Sequence, residues 1–156
     1  MKFINNSNDL SHFLDISVIK NIEIKNISLD SRTIKKDSLF IAINGKNFNG
    51  NEFIDDAFKN GACLAITDSK KFINSKNKKI IYVKNSTIAL KKISKKILHE
   101  YHGNIIGITG SNGKTTTTKI ITNALRASSS TLKNYNNELG MPLSIMRANP
   151  NAKHLV

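Results

Sequence analysis

Hydrophobic and polar positions change their spacing several times along this chain, and each change predicts an element. Over residues 22–29 they roughly alternate, the period of a half-buried strand. Residues 38–43 form a nearly unbroken apolar run, a second and more deeply buried strand, which stops at the turn-forming pair Asn44-Gly45. Phe53, Ile54, Ala57 and Phe58 then recur at helical spacing, with Asn51 as the expected cap and Gly61 as the glycine that closes the helix. Two short apolar runs, 63–67 and 80–83, predict further strands on either side of a polar, lysine-rich stretch. A helix over about 87–99 is expected to bury Ile88, Ile93 and Ile97 and to turn its lysines outward.

The group Tyr101-His102-Gly103-Asn104 reads as a boundary. After it come an apolar run at 105–109, a glycine-containing loop and a helix over about 114–127. Strand, glycine loop and helix in that order open an α/β nucleotide-binding unit with a parallel sheet. The expected organisation is one α/β unit over 1–102 and a second over 103–156 that has only begun, because such a domain needs further strand–helix repeats to cover its sheet. The last four residues, Lys153-His154-Leu155-Val156, resemble the start of a strand.

Composition changes this picture little. The chain has 156 residues, 39% hydrophobic and 22% charged, which is ordinary for a globular protein with a core. No apolar run approaches the ~18–20 residues that span a bilayer, and the first residues lack the apolar stretch of a secretory signal. Cys63 is the single cysteine, which rules out an intrachain disulfide and suits a core position in a strand. A reduced, cytoplasmic setting is expected. The charge is lopsided, with 24 Lys+Arg against 11 Asp+Glu, formally +13. That balance raises a nucleic-acid-associated or other non-catalytic basic module as an alternative. Against it, the excess is scattered lysine, arginine occurring only at Arg32, Arg126 and Arg147, which reads as a solvated surface. His12, His99, His102 and His154 show no spacing with cysteine or carboxylates that would build a zinc site, and His99 and His102 are expected at a solvated helix end. No nucleic-acid partner, no membrane insertion and a monomer are expected.

The chemistry is concentrated in Thr109-Gly110-Ser111-Asn112-Gly113-Lys114-Thr115. Successive backbone N–H groups in a glycine turn can converge on phosphate oxygens, and a helix that starts there adds unpaired amides and the positive end of its dipole. Lys114 would meet the β/γ-phosphates of ATP, and the Thr115 hydroxyl would serve Mg²⁺. The spacing is G-x-x-G-K-T, shorter than the general phosphate-loop pattern, which would need glycine where this chain has Ile108. The strand before the loop and the helix after it supply the context that the short pattern alone lacks.

Residues 108–116 resemble the T-G-[ST]-x-G-K-[ST] loop of the Mur ligases and folylpolyglutamate synthases. Leu29-Asp30-Ser31-Arg32, followed by Asp37-Ser38-Leu39-Phe40-Ile41-Ala42-Ile43-Asn44-Gly45, resembles the D-[ST]-R…G-D-L-F-[VI]-A-L-x-G block of the Mur ligases that load UDP-linked muramyl peptides. Phe48-Asn49-Gly50-Asn51-Glu52-Phe53, with Ala57 and Gly61-Ala62, is similar to the next block of the same domain. Asn134-Tyr135-Asn136-Asn137-Glu138-Leu139-Gly140-Met141-Pro142-Leu143 resembles the form this region takes in the branch that joins D-alanyl-D-alanine to UDP-MurNAc-tripeptide. The likeness runs from about residue 26 to 146, with its blocks in family order.

The resemblance implies a small amino-terminal α/β domain for UDP-MurNAc-tripeptide, followed by the first strand, P-loop and helix of a parallel-sheet ATPase domain. It implies ATP and Mg²⁺ as cofactors and D-alanyl-D-alanine as second substrate, joined through an acyl phosphate. It implies ATP contacts at Gly110, Ser111, Asn112, Gly113, Lys114, Thr115 and Thr116, with Lys114 catalytic and Thr115 on the metal. Ser31, Arg32, Asn44, Gly45, Asn136 and Asn137 are the implied substrate-binding residues, with Ser31, Arg32 and the whole loop 44–50 as candidates for holding the UDP part. Taken as residues alone, Asp30-Ser31-Arg32 also reads as a plain polar turn, and Asn136-Asn137 as a turn before a helix that starts near Pro142. Further metal ligands and a carboxy-terminal domain lie beyond Val156 in the family. A chain of these 156 residues, truncated in that sense, is expected to hold nucleotide without ligating.

Overall fold

A computed structural model describes residues 3–17, 20–45, 48–73, 75–126, 128–130 and 138–156. Four strands, β1 (Asn26–Ser28), β2 (Ser38–Ile41), β3 (Ala62–Thr67) and β4 (Ile80–Tyr82), form a parallel sheet in chain order. Period-two alternation divides its residues between two faces. Leu39, Ile41, Leu64 and Ile66 pack with the buried sides of α1 (Ser7–Leu14) and α3 (Ser86–Glu100). Phe40, Ala42 and Ala65 pack with Ile54 and Ala57 of α2 (Ile54–Lys59). The strands are apolar on both faces because both faces are covered, as parallel sheets require.

A second, smaller sheet follows. Strands β5 (Asn104–Ile105), β6 (Ser128–Ser129) and β7 (His154–Leu155) form a parallel sheet in the order β5-β7-β6, with α4 (Lys114–Ala124) leading from the loop and α5 (Gly140–Arg147) before β7. The mixed α/β character with parallel sheets agrees with the fold class read from the sequence. Among the described residues no helix is long and apolar enough to cross a membrane.

Several elements differ from the pattern-based expectation. Only Asn26–Ser28 of the alternating run enters the sheet, while Glu23 bridges Asn6 and the Ile24 N–H donates to the Asn5 carbonyl at 2.7 Å. Ile88 is exposed, and α3 buries Ala89, Leu90, Ile93 and Ile97 instead. At 100° per residue, Ile88 lies 140° around the helix from Ile93, whereas 90, 93 and 97 follow the three-four spacing of one face. Asn51 does not cap a helix; Asn49 caps a 3-10 turn, Gly50–Phe53, by accepting from the Asn51 N–H. The strand at 105–109 shortens to β5, whose pairing ends where the Ile106 N–H meets the Leu155 carbonyl at 2.8 Å. Helix α4 stops at Ala124, and Pro142 is the third residue of α5 rather than its first. Cys63 is half-buried, with its thiol against the Glu23 and Ser38 carbonyls, and His99 and His102 are exposed around the end of α3.

The boundary group is tightly packed. The Tyr101 hydroxyl donates to the Ala152 carbonyl at 2.8 Å, and a Cβ on Gly103 would collide with that hydroxyl oxygen and lie 2.7 Å from the Lys153 carbonyl. Helix α5, although it follows the boundary, sends Leu143 and Met146 into the core of the first unit. The Arg147 guanidinium donates to the Ile27 carbonyl in β1 through Nε, at 2.9 Å, and through Nη2.

Helix α1 was not expected from periodicity. A capping box starts it, with Asn6 and Asp9 each bonding the other's backbone, and Asp15 closes it at φ 56°. Lys92 and Lys96 of α3 clamp the Asp15 carboxylate at 2.8 and 2.7 Å. Hydrogen bonds from these two ammonium groups lower its pKa from 3.8 to about 2. A carboxylate whose pKa falls on folding contributes stability that is present above its unfolded value and is lost as pH drops through the folded one. In Asp15→Asn, which keeps a residue tolerant of positive φ, the melting temperature is therefore expected to depend less on pH between about 4 and 2 than in the parent. Parallel slopes in thermal melts across that window would count against the clamp.

Candidate functional site

Two sites emerge, one on each unit. At the first, Gly110 (φ 149°) and Gly113 (φ 78°) turn the chain into α4. Neither glycine is there for space, since a Cβ on Gly110 would meet only the Asn112 carbonyl at 3.6 Å and one on Gly113 only the Thr117 hydroxyl at 4.0 Å. Both are there for backbone conformations that other residues rarely adopt. The ladder of α4 begins with the Thr117 N–H on the Gly113 carbonyl at 2.8 Å, so the amides of Lys114, Thr115 and Thr116 have no partner within the helix. The Lys114 ammonium folds over the mouth and donates to the carbonyls of Gly110 and Ser111. Ser111, Asn112, Thr115 and Thr116 are exposed. The result is an open turn with unpaired amides, a cation and three hydroxyls, a donor set that fits a nucleotide phosphate with its divalent ion. Beneath it, Ile105, Ile106 and Ile108 with Met141, Ser144 and Ile145 enclose a mainly apolar cavity of about 190 Å³.

At the second site, the ends of β1 and β2 open into a cleft of about 460 Å³. Its walls are Leu29, Asp30, Ser31, Arg32, Phe40, Phe48, Gly50 and Phe53. Phe48 is 55% exposed and Phe53 41%, an unusual pair of open rings for a small domain. Asp30 caps the 3-10 turn Ser31–Thr33 and holds the Arg32 side chain through two bonds, Nε–Oδ1 at 2.9 Å and Nη2–Oδ2 at 2.7 Å. The Arg32 guanidinium accordingly lowers the Asp30 pKa and is itself stabilised in its charged form. One edge of the guanidinium is thus engaged by Asp30, and only its remaining N–H groups face a ligand without exchange.

The structure brings Ser31 and Arg32 to this cleft together. Asn44 and Gly45 lie beside it rather than in its wall: Asn44 bridges Asn49, and the Gly45 N–H donates to the Phe48 carbonyl at 2.9 Å, so they form the turn that presents Phe48. Asn136 and Asn137 lie outside the described residues. Phe48 and Gly50 of the expected 44–50 loop line the wall, whereas Phe53 was not singled out from the sequence as a binding residue. Two aromatics five apart around an Asn-Gly pair, with only one of them needed for the helix, were the available signal.

A glycine turn leading from a parallel strand into a helix, with a lysine at its mouth, defines a phosphate-loop α/β unit. The chain belongs to the Mur ligase family: residues 23–148 match the family model for the Mur ligase family, catalytic domain. Over its whole length it is 31% identical to the UDP-N-acetylmuramoyl-tripeptide–D-alanyl-D-alanine ligase of Buchnera aphidicola subsp. Baizongia pistaciae, of which it spans 34%. Over 69% of its length it is 40% identical to the UDP-N-acetylmuramoyl-L-alanyl-D-glutamate–2,6-diaminopimelate ligase of Rickettsia prowazekii, of which it spans 22%. Among solved structures it resembles the MurF ligase of Thermotoga maritima in complex with ADP, with a TM-score of 0.70 and 36% identity, over 85% of this chain and 31% of that one.

Proposed function

We propose that these residues hold the two phosphate-bearing substrates of an ATP-dependent amide ligase of peptidoglycan precursor synthesis, which adds D-alanyl-D-alanine to UDP-MurNAc-tripeptide. The observation that carries this reading is the glycine turn at residues 110–114, with the partnerless amides of 114–116 at the start of α4 and the Lys114 ammonium held on the turn's own carbonyls. ATP lies there with its β- and γ-phosphates against the amides of 110–116, and Lys114 exchanges its bonds to the loop carbonyls for phosphate oxygens. That makes Lys114 the catalytic residue, because charge builds on those oxygens during transfer. Thr115 offers its hydroxyl to Mg²⁺, which when bound neutralises phosphate charge.

At the cleft, the uracil stacks between Phe48 and Phe53, while Ser31 and the free edge of Arg32 meet the diphosphate. Asn44 and Gly45 act through the turn they build. Asn136 and Asn137 are assigned to the tripeptide carboxylate or the phosphate. A carboxylate oxygen of the tripeptide forms a bond to the γ-phosphorus as the β,γ-bridging P–O bond breaks, and ADP leaves. The dipeptide amine then adds to the acyl carbon, phosphate departs from the tetrahedral adduct, and a proton leaves the new amide nitrogen. Both nucleotides are cytoplasmic metabolites, and the reading places a monomer there.

Calorimetric titration tests the assignment. One ADP–Mg²⁺ site and one UDP-MurNAc-tripeptide site per chain are expected, and absence of ADP binding would sink it. The 40% identity to the Rickettsia protein favours one other reading, a diaminopimelate-adding ligase. Tighter binding of UDP-MurNAc-dipeptide than of the tripeptide would select it.

A further inference from the structure

The wall of the cleft that carries Phe48, Gly50 and Phe53 is tied to the end of β2 by the Gly50 N–H on the Ile43 carbonyl and to the end of β3 by the side chain of Asn51. Asn51 uses its whole amide. Nδ2 donates to Asn49 Oδ1 at 2.9 Å and to Asp68 Oδ1 at 2.8 Å, and Oδ1 accepts from the Thr67 hydroxyl at 2.6 Å. The orientation of that amide follows from its partners. The Asp68 carboxylate only accepts, so the Asn51 atom facing it is Nδ2; Oδ1 then faces Thr67, whose hydroxyl donates to it while accepting the Ser69 N–H. Thr67 is fully buried at the end of β3. The second Asp68 oxygen accepts the Ser86 N–H at 3.1 Å, at the start of α3. Asn51 is not itself in the cleft wall, although Gly50 precedes it and Phe53 follows two residues later.

From this geometry we infer that Asn51 is a positioning residue for the uridine nucleotide: it ties the aromatic wall to the rigid end of β3 and sets the gap between Phe48 and Phe53. The inference rests on the reading of the cleft as the UDP site. No other residue reproduces the latch. Aspartate would set a carboxylate against Asp68, alanine deletes all three bonds, and glutamine is one methylene too long for the same partners. The gap matters because a base gains stacking energy only when both rings lie at contact distance, and a wall free to move has to be ordered at each binding event.

UDP is the probe, titrated calorimetrically into the unmodified chain, Asn51→Ala, Thr67→Val and the double variant, each also titrated with ADP–Mg²⁺. The expected result is a loss of UDP affinity of about tenfold in Asn51→Ala, the equivalent of one or two net hydrogen bonds. A smaller loss is expected in Thr67→Val, which keeps the side-chain shape, and little further loss in the double variant, because both changes break one network. ADP affinity should be unchanged throughout. Should Asn51→Ala not fold, Thr67→Val carries the test alone. UDP binding to Asn51→Ala at parental strength overturns the inference and leaves the cleft assignment standing. Parallel loss of ADP and UDP affinity overturns it too, since that marks general loosening of the fold. Failure of the unmodified chain to bind UDP overturns the cleft assignment and this inference together.

Discussion

Lys114→Ala is expected to weaken ADP–Mg²⁺ binding by about 10- to 150-fold, the equivalent of the ~1.5–3 kcal/mol that a hydrogen bond to a charged group contributes. The fold should survive, because the hydrogen bonds of the Lys114 ammonium go only to the loop's own carbonyls at Gly110 and Ser111. Those bonds keep the cation over the mouth, where a bound phosphate would have to displace them. Removing the side chain therefore deletes the attraction and leaves the backbone turn, which Gly110 and Gly113 hold by their conformations. UDP binding at the other site should not change. Calorimetry with both nucleotides and a melt of each protein check this; an unchanged ADP affinity would remove the loop from the mechanism.

Gly50→Ala should be the most damaging small substitution in the cleft. A methyl group there would lie 2.6 Å from the Ile43 carbonyl oxygen and 2.8 Å from the Ile43 nitrogen, both backbone atoms past the end of β2. Neither can rotate away, and the Gly50 N–H is itself bound to that carbonyl at 2.9 Å. Relief requires the turn to lift off the strand, at a cost of about 1–3 kcal/mol by analogy with overpacked cores, and lifting it carries Phe48 and Phe53 with it. The urea midpoint and UDP affinity should fall together. Gly107→Ala is the control: nothing lies within 4 Å of its Cβ position, so neither quantity should move.

The glycine turn was legible in the sequence because its features are local. Glycine conformation, free amides and lysine all lie within a few consecutive residues, so pattern and geometry coincide. The first sheet was legible for a related reason: Leu39, Phe40 and Ile41 are buried on both faces, and an uninterrupted apolar run is how such a strand reads. The cleft was legible only in part. Ser31 and Arg32 are joined to Phe48 and Phe53 by tertiary packing, and nothing in residue spacing says that one turn closes against the other. Helix α1 escaped detection because its eight residues bury only a short apolar face, and its start depends on an Asn6–Asp9 box rather than on periodicity. The short β5 reflects pairing: a strand extends only as far as its neighbour, and β7 offers two residues.

The grip of α5 on the first unit bears on how the two sites can move. Arg147 holds the carbonyl of Ile27, in the strand that runs on to Asp30, Ser31 and Arg32, while Leu143 and Met146 fill the core beside it. A swing of one unit about Tyr101 and Gly103 would have to strip water-free contacts from both side chains, at roughly 1.5–3 kcal/mol each, and break a charged hydrogen bond as well. Such an excursion belongs to a sparsely populated state, below about one molecule in a thousand. The separation between the glycine turn and the aromatic cleft is therefore a built-in span, set by an eight-residue strut rather than by a hinge.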